Sequence, residues 1–259
     1  MLKIYSNILH HLLNVKEFFK NNVKKVHIKI KACLQFALIQ NVVLRNPILA
    51  ITLPKIKTEE KYKVFSKEEQ ELILSRLTEN IIDKIIYIGF FTGLRLGEVL
   101  GLKWEDLEGN TLKIRRQYQK NIVVSEVGKK KLSYVFKELK TEKNKRDLPL
   151  TQNVLSMLLA MKEYKYSNLI FANHLGGPIE RKRPTRRINK ICKDLGILER
   201  PFHAVRHTYA TRLFELDIPV KTVQVLLGHS EVATTLDIYT HVMEDKKIEA
   251  IEKLNNLFK

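Results

Sequence analysis

Apolar positions recur at helical spacing over most of the chain. Leu12, Val15, Phe18 and Phe19 form one stripe, and Val26, Ile30, Cys33, Leu34 and Ala37 form a second, which predicts helices up to about residue 50. Asn46-Pro47 interrupts the pattern, and Pro54 with the polar run KIKTEEKYK marks a linker. Two or three helices in ~50 residues bury too little surface for an independent core. The opening segment therefore reads as part of a domain, either incomplete or completed by contact with another molecule.

Beyond the linker, Ser66 and Glu69 have the spacing of a capping box, which predicts a helix over EEQELILSRL. The apolar run IIDKIIYIGFF predicts the next helix, ending at Thr92-Gly93. Leu112, Ile114, Val123, Val124, Tyr134 and Phe136 lie in segments with β-branched and aromatic content and little helical period, which predicts a small antiparallel sheet. LKTEKNKRDLPL reads as a turn and a last strand closed by Pro149. From Thr151 the pattern returns to helix in TQNVLSMLLAMKEY, RRINKICKDLG, HAVRHTYATRLFELD, VKTVQVLLG and VATTLDIYTHV, and Gly196 and Gly228 stand where helix C-termini are expected. The tail KKIEAIEKLNNLF again carries apolar residues at helical spacing. The expected class is mostly α with a small antiparallel sheet (α+β), with no internal repeat.

Charge narrows the function. Among 259 residues, 46 Lys and Arg stand against 28 Asp and Glu, a formal charge of +18. Such a surplus repels itself and is relieved on a polyanion, with nucleic acid the leading candidate. The clusters RKRPTRR (181–187), KIRRQYQK (113–120) and GKKK (128–131) are dense enough to expect phosphate contacts. Cys33 and Cys192 are far apart and lack metal-ligand spacing, as in a reducing cytoplasm. No run approaches the ~20 apolar residues of a membrane span, and the first twenty residues lack a signal-peptide core. A soluble, intracellular protein is expected.

Several residues could carry chemistry. His203 and Arg206 share a helix face, His229 follows a glycine in LLGHS, Tyr239 lies in TTLDIYTHV, and Arg95 sits in TGLRLGEVLGLKW. Each has an ordinary surface or packing explanation alone. Together, GLRLGEVLGLKWEDL, LKTEKNKRDLPL, HAVRHTYATRL and LLGHSEVATTLDIYTHV, in this order and at these separations, closely resemble the tyrosine recombinase (phage integrase) family. The resemblance covers roughly residues 60 to 245 and extends more loosely back to about residue 24. It implies a partial helical core-DNA-binding domain over 1–57, apparently truncated, and a catalytic domain over 58–259.

The resemblance also assigns roles. The catalytic arginines fall on Arg95 and Arg206, the lysine on Lys140, the histidines on His203 and His229, and the nucleophile on Tyr239; Glu98 matches an acidic residue that buttresses the first arginine. Two guanidiniums suit the non-bridging oxygens of a five-coordinate phosphate, which they grip with planar, permanently charged forks. A phenol of ordinary pKa about 10 needs its proton removed as it attacks, for which His203 is the candidate base. Lys140 is the candidate acid for the departing 5′-oxygen, and His229 a donor to the phosphate. A 3′-phosphotyrosine keeps the bond's energy, so no ATP, cofactor or metal is expected.

His203 and His207 also have the spacing of a zinc-binding pair, but HAVRH lacks the glutamate of HExxH and places Arg206 between them. The implied function is a site-specific recombinase integrating or excising a phage or mobile element. The implied partners are double-stranded DNA attachment sites, a homo-tetramer in the synaptic complex and a directionality factor. DNA contacts are expected at Arg181, Lys182, Arg183, Arg186 and Arg187, with the protein in the cytoplasm on DNA. The competing expectations are a DNA-binding remnant or regulator without strand exchange, and a type IB topoisomerase.

Overall fold

The computed structural model describes residues 20–50, 64–124, 130–139, 145–229, 232, 233, 235, 236 and 238–240. The first predicted stripe, the linker over 51–63, Lys140 and the tail from 241 lie outside the described residues. The chain divides into two compact units, Met1–Glu60 and Lys61–Lys259.

In the first unit, α1 (Lys20–Ile39) covers the second predicted stripe. It leaves Val26 51% and Phe36 65% exposed, so the described part of this unit leaves much apolar surface uncovered. Asn46 turns the chain, its amide donating to the Lys31 carbonyl at 3.1 Å while its side-chain oxygen accepts from the Ile48 N–H at 3.1 Å.

The second unit begins with α2 (Lys67–Ser75), started by the predicted capping box: the Glu69 N–H donates to Ser66 Oγ at 3.1 Å and the Ser66 N–H to Glu69 Oε2 at 2.9 Å. Next, α3 (Ile81–Thr92) is the central helix, with Ile82, Ile85, Ile86, Ile88 and Phe90 buried. It ends at Gly93 in the left-handed region (φ 61), where a side chain is strained. A single turn, α4 (Leu96–Val99), follows.

Where one sheet was expected, there are two. β1 (Leu107–Glu108), β2 (Thr111–Ile114) and β5 (Arg146–Pro149) form a three-stranded antiparallel sheet, while β3 (Arg116–Val124) and β4 (Lys130–Glu138) form a separate ribbon. The division falls at Arg115: Ile114 pairs with Arg146, whereas Arg116 pairs with Glu138. The ribbon gathers Tyr118, Tyr134 and Phe136, with Tyr118 5.6 Å from Tyr134 and 5.0 Å from Phe136 between ring centroids. It runs close over α4 because Gly97 and Gly101 lack side chains. A Cβ on Gly97 would come 2.9 Å from the Tyr118 carbonyl oxygen, and one on Gly101 3.1 Å from Gln117 Cα.

The remaining helices are α5 (Gln152–Glu163), α6 (Lys182–Asp194), α7 (His203–Glu215) and α8 (Val220–Leu227). Val232, Ala233, Thr235, Leu236 and Ile238 to Thr240 are also helical. α6 and α7 both pack on α3. α7 is further tied to the start of this unit, since the Phe65 N–H donates to Thr208 Oγ1 at 2.9 Å and Arg212 donates to the Phe65 carbonyl at 2.9 Å. A smaller apolar cluster of Ala210, Phe214, Val223, Leu227 and Ile238 lies apart from the main core. Among the described residues no helix is long and apolar enough to cross a membrane.

Candidate active site

The site is assembled where three helix ends meet. Arg95 precedes α4 just beyond the Gly93 cap of α3; His203 and Arg206 occupy the first turn of α7; His229 follows Gly228, the left-handed cap of α8 (φ 64). The C-termini of α3 and α8 present carbonyl groups without intrahelical partners, at the negative ends of their dipoles. Guanidiniums fill that need. Arg206 donates to the Gly93 carbonyl at 2.8 Å and to the Leu227 carbonyl at 2.7 Å. Arg95 donates to the Gly228 carbonyl at 3.1 Å. Both cations are therefore held by backbone.

Glu98 lies beneath them with no exposed surface. It accepts from the Arg95 N–H at 2.9 Å, from Arg95 Nη1 at 2.8 Å and from Arg146 Nη2 at 2.9 Å. Burial alone would raise its carboxyl, but Arg146, Arg95 and Arg206 outweigh that and hold it down at about 2. The expected buttress for the first arginine is present, and it serves a second buried arginine as well. Arg146, on β5, was not singled out by the motifs. It donates through Nε to the Leu226 carbonyl at 2.8 Å.

Arg95, His203 and Arg206 line one cavity of about 410 Å³ with Gln117, Gln119 and Arg181. Arg206 is 1% exposed, and its Nε has no acceptor among the described residues. Burial and neighbouring Arg95 lower its guanidinium to about 9, which leaves it cationic at neutral pH. The His203 imidazole is pushed below its ordinary value by burial and by Arg206 and Arg95, so it is neutral near pH 7 and able to accept a proton. His229 is pushed down to about 3 by burial and by Arg206, Arg95, His207 and His203, and its Nδ1 is 2.8 Å from Thr235 Oγ1. His207 stands edge-on to His203, with ring centroids 4.5 Å apart, and is held at about 4 by burial and both neighbours. Among the described residues no cluster of three or more His, Cys, Asp or Glu is placed to hold a metal ion.

Tyr239 is placed differently. It packs with the smaller apolar cluster, edge-on to Phe214 at 5.2 Å between centroids. Phe214 lies on α7, ~12 Å along the helix from Arg206 at 1.5 Å per residue. Lys140 lies outside the described residues; the strands flanking it, β4 and β5, are described.

Residues 63–246 match the profile of the phage integrase family. The chain belongs to that family. A XerC-like tyrosine recombinase of Caldanaerobacter subterraneus subsp. tengcongensis is 33% identical, covering 91% of this chain and 66% of the relative. The chain thus spans about two thirds of that relative's length. Among solved structures, the Tn1549 transposon integrase in complex with circular intermediate DNA superposes with a TM-score of 0.76 at 24% identity, over 96% of this chain and 85% of that one. A lambda integrase tetramer bound to a Holliday junction gives 0.64 at 19% identity, over 89% and 64%. At these identities the superpositions establish the fold, which is the expected α+β class.

The basic clusters fare unequally in this integrase fold. In α6, Lys182, Arg183 and Arg186 are exposed, and Arg181 donates to the Tyr118 carbonyl at the rim of the arginine-lined cavity. Arg187 instead faces Asp83 on α3, donating through Nε at 2.7 Å and Nη2 at 2.8 Å. That bidentate pair occupies one edge of the Arg187 guanidinium, unlike the exposed Arg183 and Arg186. In the 113–120 cluster, Lys113 pairs with Glu108, Arg115 with Asp147, and Arg116 with Glu105 and Asp106. In the third cluster, residues 128 and 129 lie outside the described residues.

Proposed function

We propose that this chain cuts and rejoins DNA strands at specific sites through a transient 3′-phosphotyrosine on Tyr239, and that it integrates or excises a mobile element. The observation that carries the reading is that Arg95, His203 and Arg206 line one cavity, with the Arg206 guanidinium buried there and its Nε without an acceptor among the described residues. A buried cationic donor without a partner is costly. A phosphate in the cavity offsets that charge, and more strongly as negative charge builds in the transition state.

In this reading Arg95 and Arg206 grip the non-bridging oxygens, neutral His203 accepts the phenolic proton, and His229 donates to the phosphate. Lys140 protonates the departing 5′-oxygen. Religation reverses these steps without an external energy source. Residues 1–57 contribute part of a core-DNA-binding domain and 58–259 the catalytic domain. The substrate is double-stranded DNA, and the working assembly is a tetramer on paired sites. The mobile-element role is supported by likeness to the Tn1549 integrase, and the tetramer by likeness to lambda integrase.

The test uses a pool of nicked duplexes of randomised sequence. Nicking lets the downstream strand diffuse away, which traps the intermediate as a denaturation-resistant adduct. Adduct from the unsubstituted chain, absent from Tyr239→Phe, supports the reading. A DNA-binding remnant retains duplexes and forms no adduct. A topoisomerase forms adduct but yields no recombinant product between two copies of the selected site.

A further inference from the structure

Two features of this site are unequal. Glu98 and Arg206 carry opposite charge in a dry interior, yet their closest approach is 3.9 Å, beyond hydrogen-bonding range. Arg206 turns to two backbone carbonyls instead. What Glu98 offers as acceptor explains the difference. A carboxylate has about four lone-pair directions. Arg95 takes two of them, through its backbone N–H to Oε2 and its Nη1 to Oε1. Arg146 takes the others, with Nη2 at 2.9 Å from Oε2 and Nη1 at 3.4 Å from Oε1. Glu98 is therefore saturated before Arg206 reaches it.

Building on the phosphoryl-transfer reading above, we infer that Arg146 is a positioning residue: by filling the remaining acceptor directions of Glu98, it keeps Arg206 on the helix-end carbonyls, where its charge borders the cavity that receives the phosphate. Without Arg146, Glu98 has unfilled acceptor sites in a medium of low dielectric, where an unmet charge is costly. The cation next to it that does not yet bond it is Arg206, with Nη1 3.9 Å from Oε2. Arg206 moves onto Glu98, leaves the Gly93 and Leu227 carbonyls, and turns its fork away from the cavity.

The backbone holds Arg146 to this task. Its position on β5 is set by pairing with Ile114 on β2, and its Nε is fixed to the Leu226 carbonyl in the last turn of α8. Gly228 leaves room for it: a Cβ there would stand 2.6 Å from Arg146 Nη1. One guanidinium thus ties together the strand that follows Lys140, the carboxylate beneath Arg95, and the helix end that receives Arg206.

The test compares Arg146→Met, Arg146→Lys and the double variant Arg146→Met with Glu98→Gln, alongside the unsubstituted chain, on the nicked duplex selected above. Adduct formation rate and equilibrium duplex affinity are measured separately, with cooperative unfolding as the check on folding. Arg146→Met should slow adduct formation ~100-fold, the scale of losing one preorganised donor, with affinity within about twofold because other cations hold the backbone. Arg146→Lys should recover ~10-fold of that loss, since an ammonium fills part of the vacancy. The double variant should also be ~10-fold faster than Arg146→Met, because the neutral amide draws Arg206 less. If Arg146→Met does not fold, the lysine and double variants carry the same comparison with each other and with the unsubstituted chain. Arg146→Met within threefold of the unsubstituted chain overturns the inference. So does a double variant no faster than the single one, which marks Arg146 as simply structural. No adduct from the unsubstituted chain would instead sink the reading of the site, and the inference with it.

Discussion

Replacing Glu98 by glutamine keeps the shape of the side chain and removes its charge. The consequence can be sized in two ways. Breaking a buried ion pair by removing one partner costs ~3–5 kcal/mol, because the other charge is left uncompensated; here Arg146 and Arg206, 5% and 1% exposed in their side chains, are left so. Independently, the carboxyl is moved from its ordinary 4.5 to about 2, which at ~1.4 kcal/mol per tenfold change in acidity corresponds to ~3 kcal/mol. The two figures agree in order of magnitude. A carboxyl depressed on folding contributes stability that is full above its unfolded value, and the contribution is lost as pH falls through its folded value. Urea unfolding should therefore find Glu98→Gln ~3 kcal/mol less stable at pH 7. The gap to the unsubstituted chain should close between pH 4.5 and about 2. A gap below ~1 kcal/mol at pH 7, or one unchanged down to pH 2.5, would refute this account of the cluster.

Three further predictions follow from other parts of the site. Gly228→Ala should cost ~2 kcal/mol or more, because its φ of 64 is combined with an Arg146 that cannot withdraw; Gly109→Ala, at φ 57 with no neighbour within 4 Å, should cost only ~1 kcal/mol. Thermal unfolding of the pair separates backbone strain from the clash. Arg186→Ala and Arg183→Ala should each lower the slope of log affinity against log salt by ~1, whereas Arg187→Ala should leave that slope unchanged and reduce stability through Asp83; equal slopes for all three would contradict the Asp83 pairing. His203, His207 and His229 all have depressed values in the fold, so their neutral forms contribute stability above pH 6.5 that is lost toward pH 4 and 3. Adduct formation should be flat in their titration from pH 7 to 8, and a fall centred above pH 6.5 would contradict neutral histidines at the site.

The parts of the site that lie in short local motifs were legible in the sequence. His203 and Arg206 share one helical turn, which spacing alone indicates, whereas the pairing of Arg95 with Glu98 came from the family resemblance. Arg146 was not legible because its partner stands 48 residues away and joins it only through strand pairing. A weak signal existed: Arg146 alternates with Leu148 on the inward face of β5, and a charge at an inward strand position needs a buried partner. The split of the sheet at Arg115 was invisible for a related reason. Ile114 and Tyr118 keep one parity across it in the sequence, while the change of pairing partner depends on β5, some thirty residues on. Charge density also does not show which way each cation faces, because helix phase decides that. In RKRPTRR, Arg187 precedes buried Ile188 and turns toward Asp83, while Arg186 faces water. The role of Tyr239 came from its motif; its packing against Phe214 is a tertiary contact that no local spacing encodes.

The claim on which everything rests is that Tyr239 becomes covalently joined to DNA. The direct measurement is to digest the trapped adduct with protease and nuclease and identify the modified peptide by mass spectrometry, with the two ends of the cut strand carrying different labels. The account predicts a nucleotide joined through its 3′-phosphate to the peptide containing Tyr239, with a free 5′-hydroxyl on the other product. A modified peptide lacking Tyr239, a 5′-phosphate linkage, or an adduct that persists in Tyr239→Phe would contradict it.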